Sequence, residues 1–182
     1  MNKFGKLLLA AAIGATSLSS VAVINAFANE KTVTVGGAPM YPSKNIIQNA
    51  VNSKDHTTLV AAVKAAGLVE TLEGKGPFTV FAPTNAAFGK LPAGTVDTLV
   101  KPENKATLTK ILTYHVVAGK LEASDLSDGK KLKTVEGEDL TVKHAGGKIE
   151  IIDSKGGAST VTIADVNQSN GVIHVVDSVL MP

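Results

Sequence analysis

The spacing of the apolar residues changes partway along the chain, and this change constrains the fold more than any other feature. Helical spacing dominates the first half, and it predicts helices near residues 43–51, 57–66, 84–88, 95–100 and 103–112. In the second half apolar and polar residues alternate, which predicts strands near residues 140–144, 149–151, 161–163 and 172–176. Helices followed by antiparallel strands are typical of an α+β domain.

One short segment, GPFTVFAPTNAAF, predicts a strand that leads directly into a helix. Residues 78–82 are a short apolar run rich in strand formers, and Pro83 follows them. Thr84 then stands where a helix N-cap belongs, with Asn85 and Phe88 in the first turn.

The first 28 residues have the layout of a secretory signal peptide. Lys3 and Lys6 precede an apolar stretch, and Ala26-Phe27-Ala28 forms a small-x-small cleavage site. Polar residues interrupt the stretch before it reaches the roughly 20 apolar residues of a spanning helix. We therefore expect cleavage near Ala28, a secreted, periplasmic or cell-surface protein, and no stable membrane insertion afterwards.

The remaining sequence predicts a flexible leader over residues 29–42 and a single domain over residues 43–182. The leader carries Gly36-Gly37 and two prolines but no sustained period. The domain is long enough to bury its own core, and we expect a monomer.

Composition excludes several classes of function. Of the 18 basic residues, all lysine, two lie in the signal, and the other 16 face 16 acidic residues. Because nucleic-acid surfaces normally use the arginine fork, we expect no nucleic-acid partner. The absence of cysteine excludes thiol catalysis and cysteine-ligated metals. The histidines at 56, 115, 144 and 174 are isolated, so we predict no metal site, and no nucleotide motif predicts a cofactor.

The stretch ILTYHVVAGKL places Tyr114 beside His115 in the most apolar part of the chain. Position 115 extends the apolar stripe of the preceding helix, so its ring is expected to point toward the core or to lie at a helix–strand junction. Both side chains then need hydrogen-bond partners. Three interpretations remain open: polar tips that hold the core together, recognition of a partner, and catalysis. No G-x-S-x-G sequence supports a serine nucleophile.

Three segments in order resemble the fasciclin domain family. They are TVFAPTNAAFGKLP (79–92), LTYHVVAGKL (112–121) and NGVIHVVDSVLMP (170–182). The resemblance implies a wedge of antiparallel strands with a helical layer. It also implies structural signature positions at Phe81, Pro83, Thr84, Asn85, Phe88, Gly171, His174 and Asp177.

The same resemblance implies an adhesion module rather than an enzyme, one that binds a cell-surface or matrix protein or a polysaccharide. It carries a partner contact over to Tyr114 and His115, and the single domain resembles secreted bacterial members. Two alternatives stay open. The first is an envelope protein that binds a small ligand in an apolar pocket, and the second is a hydrolase that uses His115 or His174.

Overall fold

The computed structural model describes residues 30–182, so the predicted signal peptide lies outside the described residues. The helices are α1 (Ile46–Ala50), α2 (Thr57–Ala66), α3 (Val69–Glu73), α4 (Asn85–Gly89), α5 (Thr95–Leu99) and α6 (Lys105–Tyr114). The strands are β1 (Val33–Val35), β2 (Ala38–Met40), β3 (Phe78–Pro83), β4 (Val116–Ala118), β5 (Lys131–Lys133), β6 (Asp139–Ala145), β7 (Lys148–Ile152), β8 (Ala158–Gln168) and β9 (Gly171–Val176). The predicted α+β class, with helices mostly in the N-terminal half, is confirmed.

Local chemistry explains where the helices begin and end. The side chain of Asn45 accepts a hydrogen bond from Gln48 N, and the Gln48 side chain accepts one from Asn45 N. This reciprocal capping box starts α1 at Ile46, three residues after the start of the helix predicted near residues 43–51. Helix α2 ends at Gly67 in the left-handed conformation, as its sequence predicts.

Seven strands form one sheet in the order β4-β3-β9-β8-β7-β6-β5. All neighbouring strands in it are antiparallel except β3 and β9, which run parallel with Phe81 opposite His174. The sheet therefore matches the predicted wedge of antiparallel strands except at this pair. The chain between β3 and β9 contains helices α4 to α6 and strands β4 to β8, and so long a connection allows the parallel arrangement, which a short hairpin turn would not.

The two edges of the sheet approach each other. Val117 in β4 forms an isolated bridge with Thr134, just after β5, and Val135 N donates to Val116 O at 2.7 Å. The sheet therefore curls, and part of each edge strand is covered instead of being left open to pairing.

Strands β3 and β9 lie between two hydrophobic cores. On one face the helical core packs the sheet against the helices, with Val80, Ala82, Ile173 and Val175 among its members. On the other face lies the strand core, which is enclosed by the curled sheet. Its buried members are Phe81, Tyr114, Val117, Leu126, Leu132, Leu140, Val142, Ile151, Val176 and Leu180. Burial on both faces explains why every residue of β9 is buried.

Residues of the predicted flexible leader form a hairpin that packs on the domain. Strands β1 and β2 pair antiparallel around Gly36-Gly37, and both glycines have positive φ. Val35 and Met40 are buried in the helical core. The turn docks on the 3₁₀ helix Lys54–His56, where Lys54 N donates to Gly36 O at 3.3 Å.

Candidate functional site

Tyr114 and His115 lie where α6 ends and β4 begins, and both side chains are buried, with exposed fractions of 0% and 2%. The Tyr114 hydroxyl accepts a hydrogen bond from Ser154 N at 2.9 Å, which joins α6 to the turn between β7 and β8. His115 Nδ1 donates to Ile111 O at 2.8 Å, and its Nε2 accepts from Leu180 N at 3.0 Å. The pair therefore fastens two separate parts of the chain, the β7–β8 turn and the segment around Leu180, to one helix end.

The backbone of His115 adds a third connection, because its carbonyl accepts from Phe81 N at 2.9 Å. The two ring contacts require the neutral tautomer with the proton on Nδ1, since Nε2 accepts from an amide. Burial lowers the pKa of His115 to about 4, against the smaller opposing effects of the Ile111 carbonyl and the Asp153 carboxylate. Burial likewise raises the pKa of Tyr114.

The resemblance implies a partner contact at Tyr114 and His115, and both of these side chains are buried. Neither ring presents surface to a partner in this conformation, because the strand core surrounds Tyr114 and the helix end encloses His115. Of the three interpretations of the pair, the geometry supports polar tips that hold the core together.

His174 is a second buried histidine whose ring nitrogens both bond to the backbone. Its Nε2 donates to Leu121 O at 2.7 Å, and its Nδ1 accepts from Asp165 N at 3.3 Å. The ring stacks on Phe81 across the parallel strand pair, with centroids 5.7 Å apart and planes inclined by 25°. Burial lowers the pKa of His174, while the Leu121 carbonyl and the Asp165 charge oppose the shift.

The strand-to-helix segment forms as predicted and also caps a second helix. The hydroxyl of Thr84 accepts from Ala87 N at 3.2 Å and starts α4, and Pro83 is the last residue of β3. Asn85 Oδ1 accepts from Thr58 N at 3.0 Å, and its Nδ2 donates to Lys54 O at 2.9 Å. Helix α2 has no side-chain cap of its own, so Asn85 supplies one from a distant part of the chain.

The remaining signature positions serve packing and surface contacts. Phe88 is buried in the helical core. A Cβ at Gly171 would collide with the backbone of Phe78, so the close approach of β9 to β3 requires glycine there. Asp177 Oδ1 accepts from Thr160 N at 2.9 Å, and Lys90 Nζ lies 3.6 Å from Asp177 Oδ2.

Sequence reasoning missed Asn170, which connects three elements. Its Oδ1 accepts from Ile46 N at 3.1 Å, and its Nδ2 donates to Leu72 O at 2.6 Å and Gly74 O at 2.9 Å. Its own carbonyl accepts from Phe78 N at 3.0 Å. The Asn-Gly dipeptide marked a turn, but nothing in the local sequence indicated partners about 100 residues away.

The histidine geometry opposes the hydrolase interpretation. A general base needs a free nitrogen near the proton it removes, and both nitrogens of His115 and of His174 bond to backbone groups. Ser178 Oγ instead contacts Lys90 Nζ at 3.1 Å and Asp177 Oδ1 at 3.1 Å in a solvent-exposed network. Within the described part of the chain, no group of three His, Asp or Glu side chains is placed to hold a metal ion.

His56 is the buried histidine that sequence analysis left without a role. Its Nδ1 lies 2.9 Å from Ser53 Oγ, whereas its Nε2 is buried and makes no hydrogen bond to the described residues. Burial lowers its pKa, and the Ala82 backbone carbonyl and Asp55 charge oppose that shift. The ring lines a cavity of about 40 Å³, together with apolar residues of the hairpin, α1, α2 and the sheet.

Fold and site together define an α+β scaffold whose distinctive polar residues connect separate backbone segments through buried hydrogen bonds. The sequence model of the fasciclin domain matches residues 54–182, and the chain belongs to the fasciclin domain family.

Curated relatives agree with this assignment. Protein sll1483 of Synechocystis sp. is 48% identical over 168 residues, covering 92% of this chain and 90% of that protein. Immunogenic protein MPB70 of Mycobacterium bovis is 41% identical over 138 residues, covering 73% of this chain and 66% of that protein. Cell surface glycolipoprotein MPB83 of the same species is also 41% identical over 138 residues, covering 73% of this chain and 58% of that protein. The chain is thus similar to proteins that include one located at a cell surface.

A solved structure confirms the fold. The FAS1 domain pair of the insect cell adhesion molecule fasciclin I matches with a TM-score of 0.69 at 19% identity, covering 85% of this chain and 59% of that chain. Among residues 30–182, no helix combines the length and apolar character needed to cross a bilayer.

Proposed function

We propose that this protein is an exported, non-enzymatic binding module that mediates adhesion at a cell surface or in an extracellular matrix. Membership of the fasciclin domain family carries the proposal, because similar proteins include a cell surface glycolipoprotein. The site geometry supports it, since the signature polar groups stiffen a scaffold that presents its outer surface for contact.

The partner is a surface or matrix protein or a polysaccharide, and the protein acts as a monomeric unit after removal of the signal near Ala28. One domain of this size buries only a modest interface, so each contact is weak. Strong adhesion then requires many copies on one surface, because linked copies bind with a high effective concentration.

The small-ligand alternative is less well supported by the same structure. The apolar cavity beside His56 has a volume of about 40 Å³. Pockets for drug-sized ligands are several-fold larger, roughly 300–1,000 Å³. A carrier role would require the hairpin or α1 to move away from the sheet, and the purified protein would then carry an extractable ligand.

The test is binding of the purified exported protein to whole cells, immobilised matrix proteins and polysaccharides, as a monomer and on multivalent beads. We expect weak monomer binding that strengthens with valency. A folded Tyr114→Phe variant serves as the matched control and should bind like the wild type, because its hydroxyl is buried. No binding in either form would overturn the adhesion role. Loss of binding in Tyr114→Phe would restore this hydroxyl as a contact.

A further inference from the structure

The register of three strands places four lysines in a diagonal row on the outer face of the sheet. Lys131 lies opposite Thr141, two residues before Lys143 on β6. Lys143 lies opposite Glu150, two residues after Lys148 on β7. With Lys133 at one end, successive members are about 7–8 Å apart between Cβ atoms. We call Lys133, Lys131, Lys143 and Lys148 the lysine row.

The lysine row is exposed and its charges are not neutralised by close partners. All four residues are exposed, and none makes an ion pair or a side-chain hydrogen bond with the described residues. Even Lys143 and Glu150, directly opposite each other, do not approach within ion-pair distance. The ammonium groups are therefore available to an external anion.

The outer face is positive, although the charges of the chain outside the predicted signal sum to zero. Within β5, β6 and β7 the four lysines share it with Asp139 and Glu150, and the Asp128 carboxylate accepts from His144 N at 2.7 Å beside Lys143. Outside the predicted signal, 16 lysines face 16 acidic residues, so a positive face here leaves the rest of the molecule with a negative excess. Such a separation of charge orients the molecule toward an anionic surface.

Protection of a sheet edge does not account for the lysine row. Lysines on an edge strand discourage pairing with other chains, which suffices for Lys131 and Lys133 on β5. Lys143 and Lys148 lie on β6 and β7, which have neighbours on both sides. Their position on the same diagonal needs another explanation.

We propose that the lysine row binds a linear acidic polysaccharide, whose repeated anionic groups run along the row. The proposal rests on the adhesion role and names the chemistry of its partner. Lysine supplies point charges that suit a flexible polyanion, whereas a nucleic acid would favour the arginine fork, which the chain lacks. The half-buried neighbours Thr141 and Ile152 on this face provide no exposed large apolar anchor for a lipid surface.

The test uses protein purified after expression of the full chain, titrated with alginate, with dextran sulfate and with neutral dextran at low and moderate salt. The row variant is K131Q/K133Q/K143Q/K148Q. The control variant is K54Q/K64Q/K75Q/K101Q, which removes the same charge from exposed positions on the helical side. Circular dichroism checks that both variants are folded.

We expect the wild type to bind both acidic polymers, to ignore neutral dextran and to weaken with added salt. The row variant should bind at least about tenfold more weakly, and the control variant should stay within about twofold of the wild type. Equal losses in both variants, or no wild-type binding to either acidic polymer, would overturn the inference. If the row variant still binds cells and matrix, the adhesion role stands without the lysine row. If the wild type does not bind cells or matrix, the adhesion role is wrong.

Discussion

At the scale of single residues, the hydrogen bonds of the His115 side chain connect the end of α6 to a distant part of the chain. Its ring joins Ile111 in α6 to Leu180 near the C-terminus, 65 residues beyond the histidine. When a buried amide loses its only acceptor, the free energy of unfolding falls by more than the hydrogen bond contributed, because the amide stays desolvated.

We expect His115→Ala to lower the free energy of unfolding by about 1–3 kcal/mol, because Leu180 N loses its acceptor. Urea denaturation followed by circular dichroism measures the change. The control is His144→Ala, whose ring is exposed and makes one contact, to Leu126 O. A midpoint for His115→Ala equal to that of the wild type would contradict the structural role.

The pH dependence of stability provides a second test of His115. Its folded pKa is about 4 and its ordinary value is 6.5, so between these pH values the unfolded chain binds the proton and the folded chain does not. Stability is therefore fully present above about pH 6.5 and declines as the pH falls toward 4. This difference between the folded and the ordinary pKa of His115 corresponds to about 3 kcal/mol in the free energy of unfolding.

The measurement is the free energy of unfolding of wild type and His115→Gln at intervals from pH 7.5 to 4. His56 and His174 also have lowered pKa values, so the variant should retain part of the decline. The wild-type curve should be the steeper of the two. Parallel curves would show that His115 is not the buried neutral group described above.

At the scale of elements, the hairpin shows where sequence patterns stop being informative. Strands of three residues are too short to establish a period. The sequence of β1 and β2 therefore predicted a flexible leader, although Gly36-Gly37 lies between the two strands. Longer elements such as α2 and β6 were predicted to within one or two residues, because each spans several repeats of its period. The parallel pairing of β3 with β9 depends on contacts between distant segments, which no local pattern reports.

Removal of residues 29–42 tests the contribution of the hairpin. Val35 and Met40 are buried against the helices, and burial of each such side chain contributes about 1.5–3 kcal/mol. We expect the truncated chain to unfold at a lower urea concentration, with at least about 2 kcal/mol lost. Val35→Ala should also unfold at a lower urea concentration. Thr34→Ala, at an exposed position, should leave the unfolding midpoint nearly unchanged. An unchanged midpoint after truncation would mean that the hairpin is only loosely attached.

At the scale of the whole molecule, two cores share the same two strands. Val80 and Ile173 project into the helical core, whereas Phe81 and Val176 project into the strand core from the other face of β3 and β9. The signature residues lie around this shared layer. Their order along the chain indicated the family, but the sequence did not predict which residues each of them contacts. His174, for example, was predicted as a structural signature position, but its contact with Leu121 depends on the three-dimensional path of the connecting loop.

Because the cores share β3 and β9, we expect them to unfold together in one transition. The chain has two tyrosines and no tryptophan, so in a Tyr41→Phe background the fluorescence of Tyr114 reports on the strand core. Far-UV circular dichroism reports on the helices. Ile173→Val and Ile151→Val change one core each and should each lower stability by about 0.5–1.5 kcal/mol. Both probes should shift equally in both variants, because neither core persists without the strands that it shares with the other. If Ile151→Val moved the fluorescence transition and left the circular dichroism transition in place, the two cores would be separate folding units, and the buried signature residues would stabilise only the half of the molecule that contains them.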